Sequence, residues 1–198
     1  MTIFLILLCY LIGSIPFGYI IVKLFAHVDI RAVGSGNIGA TNVGRVLGKW
    51  GFIVVFVLDF LKGYVPIKII YIYYGESYLL LLIAFSIILG HMFTIFLKFK
   101  GGKGVATGLG IFAALDPFAT ILGVIVFGLV ALVSKMVSLS SIIASISITI
   151  YLWIFNSWIP LNITVTIIVL FIIYRHKDNI RRICQGRENK IGARVDRS

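Results

Sequence analysis

Long apolar stretches separated by short polar connections make up most of the chain. They cover roughly 3–25, 51–74, 78–97, 104–115, 117–134, 138–155 and 158–174. A helix needs about 20 apolar residues to cross a bilayer, where its backbone N–H and C=O groups must be bonded within the segment. The pattern therefore predicts an all-α protein, a polytopic integral membrane helix bundle with about seven transmembrane helices.

The fourth stretch, 104–115, is too short to cross a bilayer upright. Asp116-Pro117 interrupts the apolar sequence after it, because a proline disfavours helical geometry in the preceding residue. Two helices that meet at this break account for the pattern. The alternative is a six-helix protein in which the 104–134 stretch is re-entrant.

The composition requires a mostly apolar environment. Of the 198 residues, 60% are hydrophobic and 13% are charged, and the mean hydropathy is +1.09. A soluble domain of this size keeps much of its surface in water and could not cover so many apolar side chains. No repeat or linker divides the sequence, so we expect a single transmembrane domain over residues 1–198.

Basic residues lie almost entirely in alternate connections. Fifteen of the 18 Lys and Arg residues follow the first, third and fifth stretches or lie in the tail after Tyr174. Because basic loops stay in the cytoplasm, this distribution predicts an outside N-terminus and a cytoplasmic C-terminus. The net charge of +11 suits anionic lipid headgroups or anionic substrates. Nucleic acid is not an expected partner, because no soluble part is large enough to bind it.

The first connection, residues 33–45, is rich in glycine and in short polar side chains. It contains the spacing G-x-G-x-x-G, but a membrane helix precedes it instead of a strand, so we do not interpret it as a dinucleotide site. Small residues let backbone N–H groups, hydroxyls and amides converge on an anion. The candidate anion-binding residues are Ser35, Asn37, Thr41, Asn42 and Arg45. The alternative is a flexible glycine-rich connection.

The third connection contains the turn Gly101-Gly102-Lys103-Gly104, which leads into an apolar stretch. It is not a Walker motif, because Lys103 is followed by glycine and not by Ser or Thr. The free N–H groups and the positive dipole end of a new helix suit a phosphate. The nearby Lys98 and Lys100 are explained equally well as a topology signal that touches lipid phosphates.

The tail offers His176 and Asn179, which share a face if the segment is helical. Glu188 and Arg181 are further candidates, whereas Lys177, Arg182 and Arg197 are interpreted as contacts with lipid headgroups.

Within the apolar stretches, Asp59 and Lys62 lie three residues apart on one helix face. Charges inside a membrane pair with each other or face a cavity, so we interpret these two as a structural ion pair. His91 is interpreted as an interhelical hydrogen-bond partner. Most of the serines after Lys135 are interpreted as small residues for close helix packing, and Ser140 or Ser141 is expected to line the candidate site.

Three segments together resemble one family, the bacterial membrane acyltransferases that transfer a fatty acyl group from acyl phosphate to glycerol 3-phosphate (the PlsY family). The segments are 35–42 with Arg45, 90–104, and 175–182 with 186–188. Residues 13–18 and 59–63 fit as well, so the similarity covers nearly the whole chain. The resemblance implies an enzyme of phospholipid biosynthesis that makes lysophosphatidic acid in the bacterial inner membrane, with its active site facing the cytoplasm.

The resemblance also implies roles for the candidate residues. Lys103, Ser35 and His176 would be catalytic. The substrate-binding residues would be Asn37, Thr41, Asn42, Arg45, Gly101, Gly102, Gly104, Ser141, Asn179, Arg181 and Glu188. The glycine turn would hold the acyl phosphate, and His176 with Asn179 would place glycerol 3-phosphate. Either His176 or a substrate phosphate would accept the hydroxyl proton.

No metal or cofactor is expected, because acyl phosphate is an activated anhydride. The expected partners are the two substrates, membrane lipids and a soluble enzyme that produces acyl phosphate. Two other function classes stay open: a transporter or binding protein for phosphate or a phosphorylated metabolite, and a non-catalytic subunit that binds lipid headgroups. Against the transporter, no inverted repeat is visible.

Overall fold

The computed structural model describes residues 2–192, so Arg194 and Arg197 of the basic tail lie outside it. Over that range the chain is helical and contains no strand, which confirms the predicted all-α class. The helices are α1 (Thr2–Ser14), α2 (Phe17–Ala26), α3 (Ala40–Tyr74), α4 (Tyr78–Met92), α5 (Val105–Leu115), α6 (Pro117–Ser134), α7 (Val137–Phe155), α8 (Ile159–Arg175) and α9 (Lys177–Cys184). Short 3₁₀ turns occupy Ile30–Ala32 and Ile95–Leu97.

Several of these helices are long and apolar enough to cross a membrane. Among the described residues there are four such stretches, Thr2–Ala26, Tyr78–Leu97, Pro117–Ser134 and Val137–Phe155, and five if α8 and α9 count as one span across a 58° bend. Large apolar side chains cover their outer faces; Val133 on α6 is 87% exposed. A surface of this kind requires lipid around it. The count of seven spans and the orientation of the termini stay predictions.

The first apolar stretch is two helices instead of one. Pro16 has no N–H to continue the ladder of α1, and helical bonding stops at Ser14. Side chains from the connection after α4 and from α3 bind the carbonyl oxygens left at the break. Thr94 Oγ1 donates to Ser14 O at 2.6 Å, and Lys62 Nζ donates to Ile15 O at 2.9 Å.

The short stretch after the glycine turn forms α5, which ends where the sequence predicted a break. The Asp116 carboxylate accepts from Ala119 N–H at 2.9 Å, and Pro117 takes the first position of α6. α5 packs closely against α3. A Cβ at Gly63 would lie 2.2 Å from Thr107 O, and one at Gly110 would lie 2.1 Å from Phe60 O.

The predicted intramembrane pair is confirmed. Lys62 Nζ lies 2.7 Å from Asp59 Oδ1, and both side chains are buried. The interhelical role of His91 is confirmed as well, because its Nδ1 lies 3.1 Å from the Thr107 hydroxyl on α5. His91 Nδ1 also lies 3.8 Å from Asp59 Oδ1, so these side chains join α3, α4 and α5.

Candidate active site

A cleft with a cavity volume of about 140 Å³ opens where the polar connections meet. Its walls come mainly from six parts of the chain: the loop before α3, the first turns of α3, α5 and α7, the bend before α9 together with α9 itself, and residues 188–189. Asp59 and His91 also line it. The cleft therefore collects most of the residues predicted from the sequence into one site.

Two helices begin at this cleft without a side-chain N-cap. Gly39 caps α3 and Gly104 caps α5, and neither end has a side-chain cap hydrogen bond. Gly104 has a φ of +84°, a conformation that favours glycine. The first N–H groups of a helix have no partner within it, and the dipole makes that end positive. Two such ends around one cleft form a binding place for an anion.

The loop before α3 is shaped by Asn42, whose side chain is 2% exposed. Its Oδ1 accepts from Ser35 N–H at 3.0 Å, and its Nδ2 donates to Val33 O at 2.9 Å and to Asn37 O at 3.0 Å. Both ends of the amide are therefore occupied inside the loop. Asn42 and Ser35 both line the cleft. The substrate-binding role of Asn42 stays a prediction, and the geometry adds a structural task.

Thr41 and Arg45 also line the cleft, but from within α3, which begins earlier than the sequence suggested. Burial lowers the pKa of the Arg45 guanidinium, which nevertheless remains a cation at any physiological pH.

The glycine turn before Lys103 is held by the end of α4. Gly101 N–H donates to Met92 O and Gly102 N–H donates to His91 O, both at 3.1 Å. We expected these N–H groups to face a phosphate, and that expectation needs correction because carbonyl groups of the protein occupy them. Neither glycine lines the cleft, whereas Gly104 does. There is no room for a side chain at either glycine. A Cβ at Gly101 would lie 2.1 Å from His91 O, and one at Gly102 would lie 2.2 Å from His91 Nε2.

Lys103 reaches from this turn to the opposite wall. Its Nζ donates to Asn179 Oδ1, and Asn179 Nδ2 donates to Glu188 Oε1 at 2.6 Å. Ser138 Oγ and Arg182 Nε donate to the two oxygens of the same carboxylate, each at 2.8 Å. Burial lowers the pKa of Lys103 to about 8, with Glu188 acting in the opposite direction. Lys103 is therefore a cation in most molecules at pH 7.

His176 lies beside Lys103 and is 2% exposed. Its Nδ1 is 2.8 Å from Ile172 O, which assigns the proton to Nδ1 and leaves Nε2 as an acceptor. Burial, reinforced by the charge of Lys103, lowers the pKa of His176 to about 4. The imidazole is therefore neutral at pH 7 and can accept a hydrogen bond from a hydroxyl.

The tail helix corrects one prediction and adds a residue. Arg181 is exposed and does not line the cleft, so the structure gives no support to its predicted role in substrate binding. Arg182, which we assigned to lipid headgroups, lines the cleft and pairs with Glu188 at 2.8 Å. The reason is helical spacing: Arg182 follows Asn179 by three residues, and Arg181 is turned away from that face.

Three further polar residues line the cleft, of which the sequence predicted one. Ser141 lines the cleft as expected, with its hydroxyl bound to Val137 O at 2.8 Å. Ser138 and Asn189 were missed. Ser138 lies one helical turn before Ser141, so spacing could have indicated it.

The cleft has an apolar side that continues into a groove. Phe52, Phe127 and Val137 line both spaces. The groove has a volume of about 1200 Å³ and runs past Leu47 and Ile53 on α3. A phosphate at the helix ends and an alkyl chain in the groove would fit one continuous site.

Comparison with known proteins identifies relatives along nearly the whole chain. A family model described as glycerol-3-phosphate acyltransferase matches residues 3–186. The glycerol-3-phosphate acyltransferase of Aquifex aeolicus (strain VF5) is 46% identical over 192 residues, which cover 96% of this chain and 98% of the relative. That of Endomicrobium trichonymphae is 44% identical over 186 residues, 94% of each chain.

Two solved structures have the same fold. Both are crystal structures of PlsY (YgiH), described as an integral membrane glycerol 3-phosphate acyltransferase. The glycerol 3-phosphate form has a TM-score of 0.93 at 44% identity and covers 96% of each chain. The lysophosphatidic acid form has a TM-score of 0.90 at 42% identity, with coverage of 96% of this chain and 95% of the other.

Proposed function

The chain belongs to the glycerol-3-phosphate acyltransferase family, and from that premise we propose that it transfers a fatty acyl group from acyl phosphate to the sn-1 hydroxyl of glycerol 3-phosphate. The products are lysophosphatidic acid and phosphate. Family membership establishes a multi-pass membrane acyltransferase. The acyl phosphate donor and the roles of individual residues are our proposal.

One observation carries the proposal: the ends of α3 and α5, together with Lys103, Arg45 and Arg182, surround a single cleft. Among the residues that the structure describes, the carboxylates that line it are Glu188 and Asp59, and both are already paired with cations. The site therefore suits ligands that bring negative charge, as two phosphorylated substrates would.

The chemistry needs orientation and charge stabilisation. The glycerol hydroxyl oxygen attacks the acyl carbonyl carbon, and the bond from that carbon to the phosphate oxygen breaks. The phosphate leaves with the electron pair. Lys103 and the N–H groups at the start of α5 would stabilise the charge that develops on the phosphate. Arg45 and Asn179 would hold glycerol 3-phosphate at attacking distance.

The hydroxyl proton has two possible acceptors in the cleft. His176 Nε2 is positioned to accept a hydrogen bond, but a pKa of about 4 makes it a weak base. A phosphate monoester has a second pKa of about 6 and takes a proton more readily. We therefore assign His176 to orienting the hydroxyl and a phosphate of the substrates to accepting its proton.

The acyl chain would lie in the apolar groove. Phe52 and Phe127 connect that groove to the cleft, so a chain placed there would present its carbonyl carbon at the helix ends. Relative to water, burying each methylene contributes about 0.8 kcal/mol, so the chain would stay in the apolar groove or in the surrounding lipid.

The donor can be tested directly with purified protein in detergent and labelled glycerol 3-phosphate. Acyl phosphate should support formation of labelled lysophosphatidic acid, whereas acyl-CoA and acyl carrier protein with the same acyl chain should not. The helix ends of the cleft suit a phosphate, and acyl phosphate carries its phosphate directly on the carbonyl carbon that reacts. Comparable rates with acyl-CoA would contradict the proposed donor.

We also propose that the cleft faces the cytoplasm across the bacterial inner membrane. Alternate placement of the basic connections supports this orientation, as does the cytosolic origin of both substrates and of a soluble enzyme that would supply acyl phosphate. Cys184 is exposed on α9, so its accessibility to a thiol reagent can show the orientation. An impermeant thiol reagent should label a cysteine at Ser77 or Ser157 in intact cells but should not label Cys184. Labelling of Cys184 in intact cells would reverse the orientation.

A further inference from the structure

The glycine turn before Lys103 is bound on a second side, by the last residue of α8. Arg175 donates from one terminal nitrogen to Gly101 O at 2.6 Å and from Nε to Gly102 O at 3.1 Å. The N–H groups of the same glycines are bound to the end of α4. The backbone of the turn is thus held by α4 through its donors and by α8 through its acceptors.

Arg175 also contacts the segment that leads out of α4. Its guanidinium carbon lies 5.6 Å from the centre of the Phe93 ring, a cation–π distance. The guanidinium therefore contacts three residues of the connection between α4 and α5. A lysine could not replace it, because an ammonium lacks the planar fork that reaches two neighbouring carbonyl groups.

Arg175 does not line the cleft, but the residues that follow it do. His176 comes directly after it, and Asn179 lies one helical turn further on. The same short segment thus carries the clamp on the turn before Lys103 and the partner of the Lys103 ammonium. A shift between the two would separate Lys103 from Asn179.

We propose that Arg175 is a positioning residue for acyl transfer, which fixes the Gly101-Gly102 turn so that the Lys103 ammonium stays beside Asn179. The inference rests on the proposed function, because its measure is acyl transfer. It assigns Arg175 no contact with substrate, so its effect on the reaction passes through Lys103.

A double-mutant cycle tests this assignment. Arg175→Lys retains the charge and should lower kcat about tenfold or more, since a displacement of about 1 Å in a catalytic group can cost up to a hundredfold. The KM for glycerol 3-phosphate should change much less. In a Lys103→Ala protein, the same Arg175→Lys change should alter the rate by no more than about twofold, because residues that act as one unit are not additive.

The matched control is Lys177→Ala, which removes an exposed cation two residues away and should leave the rate within about twofold. Equal losses from Arg175→Lys in both backgrounds, or a wild-type rate in Arg175→Lys, would overturn the proposal. If Arg175→Lys does not fold, Arg175→Gln replaces it in the cycle, and failure of both to fold would reject the proposal in favour of a purely structural role. A wild-type protein that is inactive with acyl phosphate but active with another donor would contradict only the proposed donor, and the cycle would then use that donor.

Discussion

The connections before α3 and before α5 have similar compositions but are built differently. Both are glycine-rich, both carry a cation, and both end at a glycine-capped helix that opens on the cleft. In the first, one side chain, Asn42, binds the loop from within. In the second, the glycine backbone is bound from outside by α4 and Arg175. Substituting the side chain that holds the first connection, Asn42, should therefore act mainly on stability, whereas disturbing the turn in the second should act on catalytic geometry.

The largest effect is expected at Lys103. If its ammonium stabilises the departing phosphate, Lys103→Ala should lower the initial rate about a hundredfold or more, the scale for removing one preorganised donor. Lys100 lies three residues earlier and is exposed, so Lys100→Ala should cost much less. Both rates are measured at matched protein levels. Equal, mild losses would mean that these lysines only contact lipid headgroups.

A smaller loss is expected from crowding the glycine turn. In Gly102→Ala the new methyl group would meet His91 Nε2, so the turn must shift and carry Lys103 with it. We expect a loss of about tenfold in kcat. Gly128→Ala on α6 is the control, because nothing lies within 4 Å of its Cβ position. If both variants keep full activity, the turn does not set the position of Lys103.

The smallest effect on the reaction rate is expected at Asn42, which holds the connection before α3. Asn42→Ala leaves buried backbone groups without partners and should destabilise the protein by about 1–3 kcal/mol. Thermal unfolding in detergent measures this loss, and the rate of the protein that remains folded should fall only a few fold. Asn37→Ala, which removes one described side-chain hydrogen bond, to Gly39 N–H, should destabilise less. A large rate loss in Asn42→Ala at unchanged stability would assign Asn42 to the substrate instead.

Much of the fold followed from the apolar pattern. The predicted stretches 117–134 and 138–155 agree within one residue with Pro117–Ser134 and Val137–Phe155, because lipid-facing helices must be apolar along their length. The Asp59 and Lys62 pair was predicted for a similar reason, since charges in a membrane need partners. The family suggested by three ordered motifs is confirmed by the comparisons.

The local roles in the site were harder to predict. Glycines before a cation suggested N–H groups that bind phosphate, but whether an N–H is free depends on neighbours such as the end of α4. Arg175 contacts Gly101 from 74 residues away, and no local pattern encodes that distance. Whether Arg181 or Arg182 faces the cleft depends on where α9 begins, and the motif alone did not indicate that residue.

The most direct test of the account is whether the cleft binds phosphate through Lys103. Inorganic phosphate, the proposed product, should inhibit acyl transfer in competition with acyl phosphate. Its inhibition constant should rise about tenfold or more in Lys103→Ala, where a charge-assisted contact is lost, and should stay unchanged in Lys100→Ala. Equal inhibition constants in wild type, Lys103→Ala and Lys100→Ala would contradict the assignment of this cleft as the phosphate site.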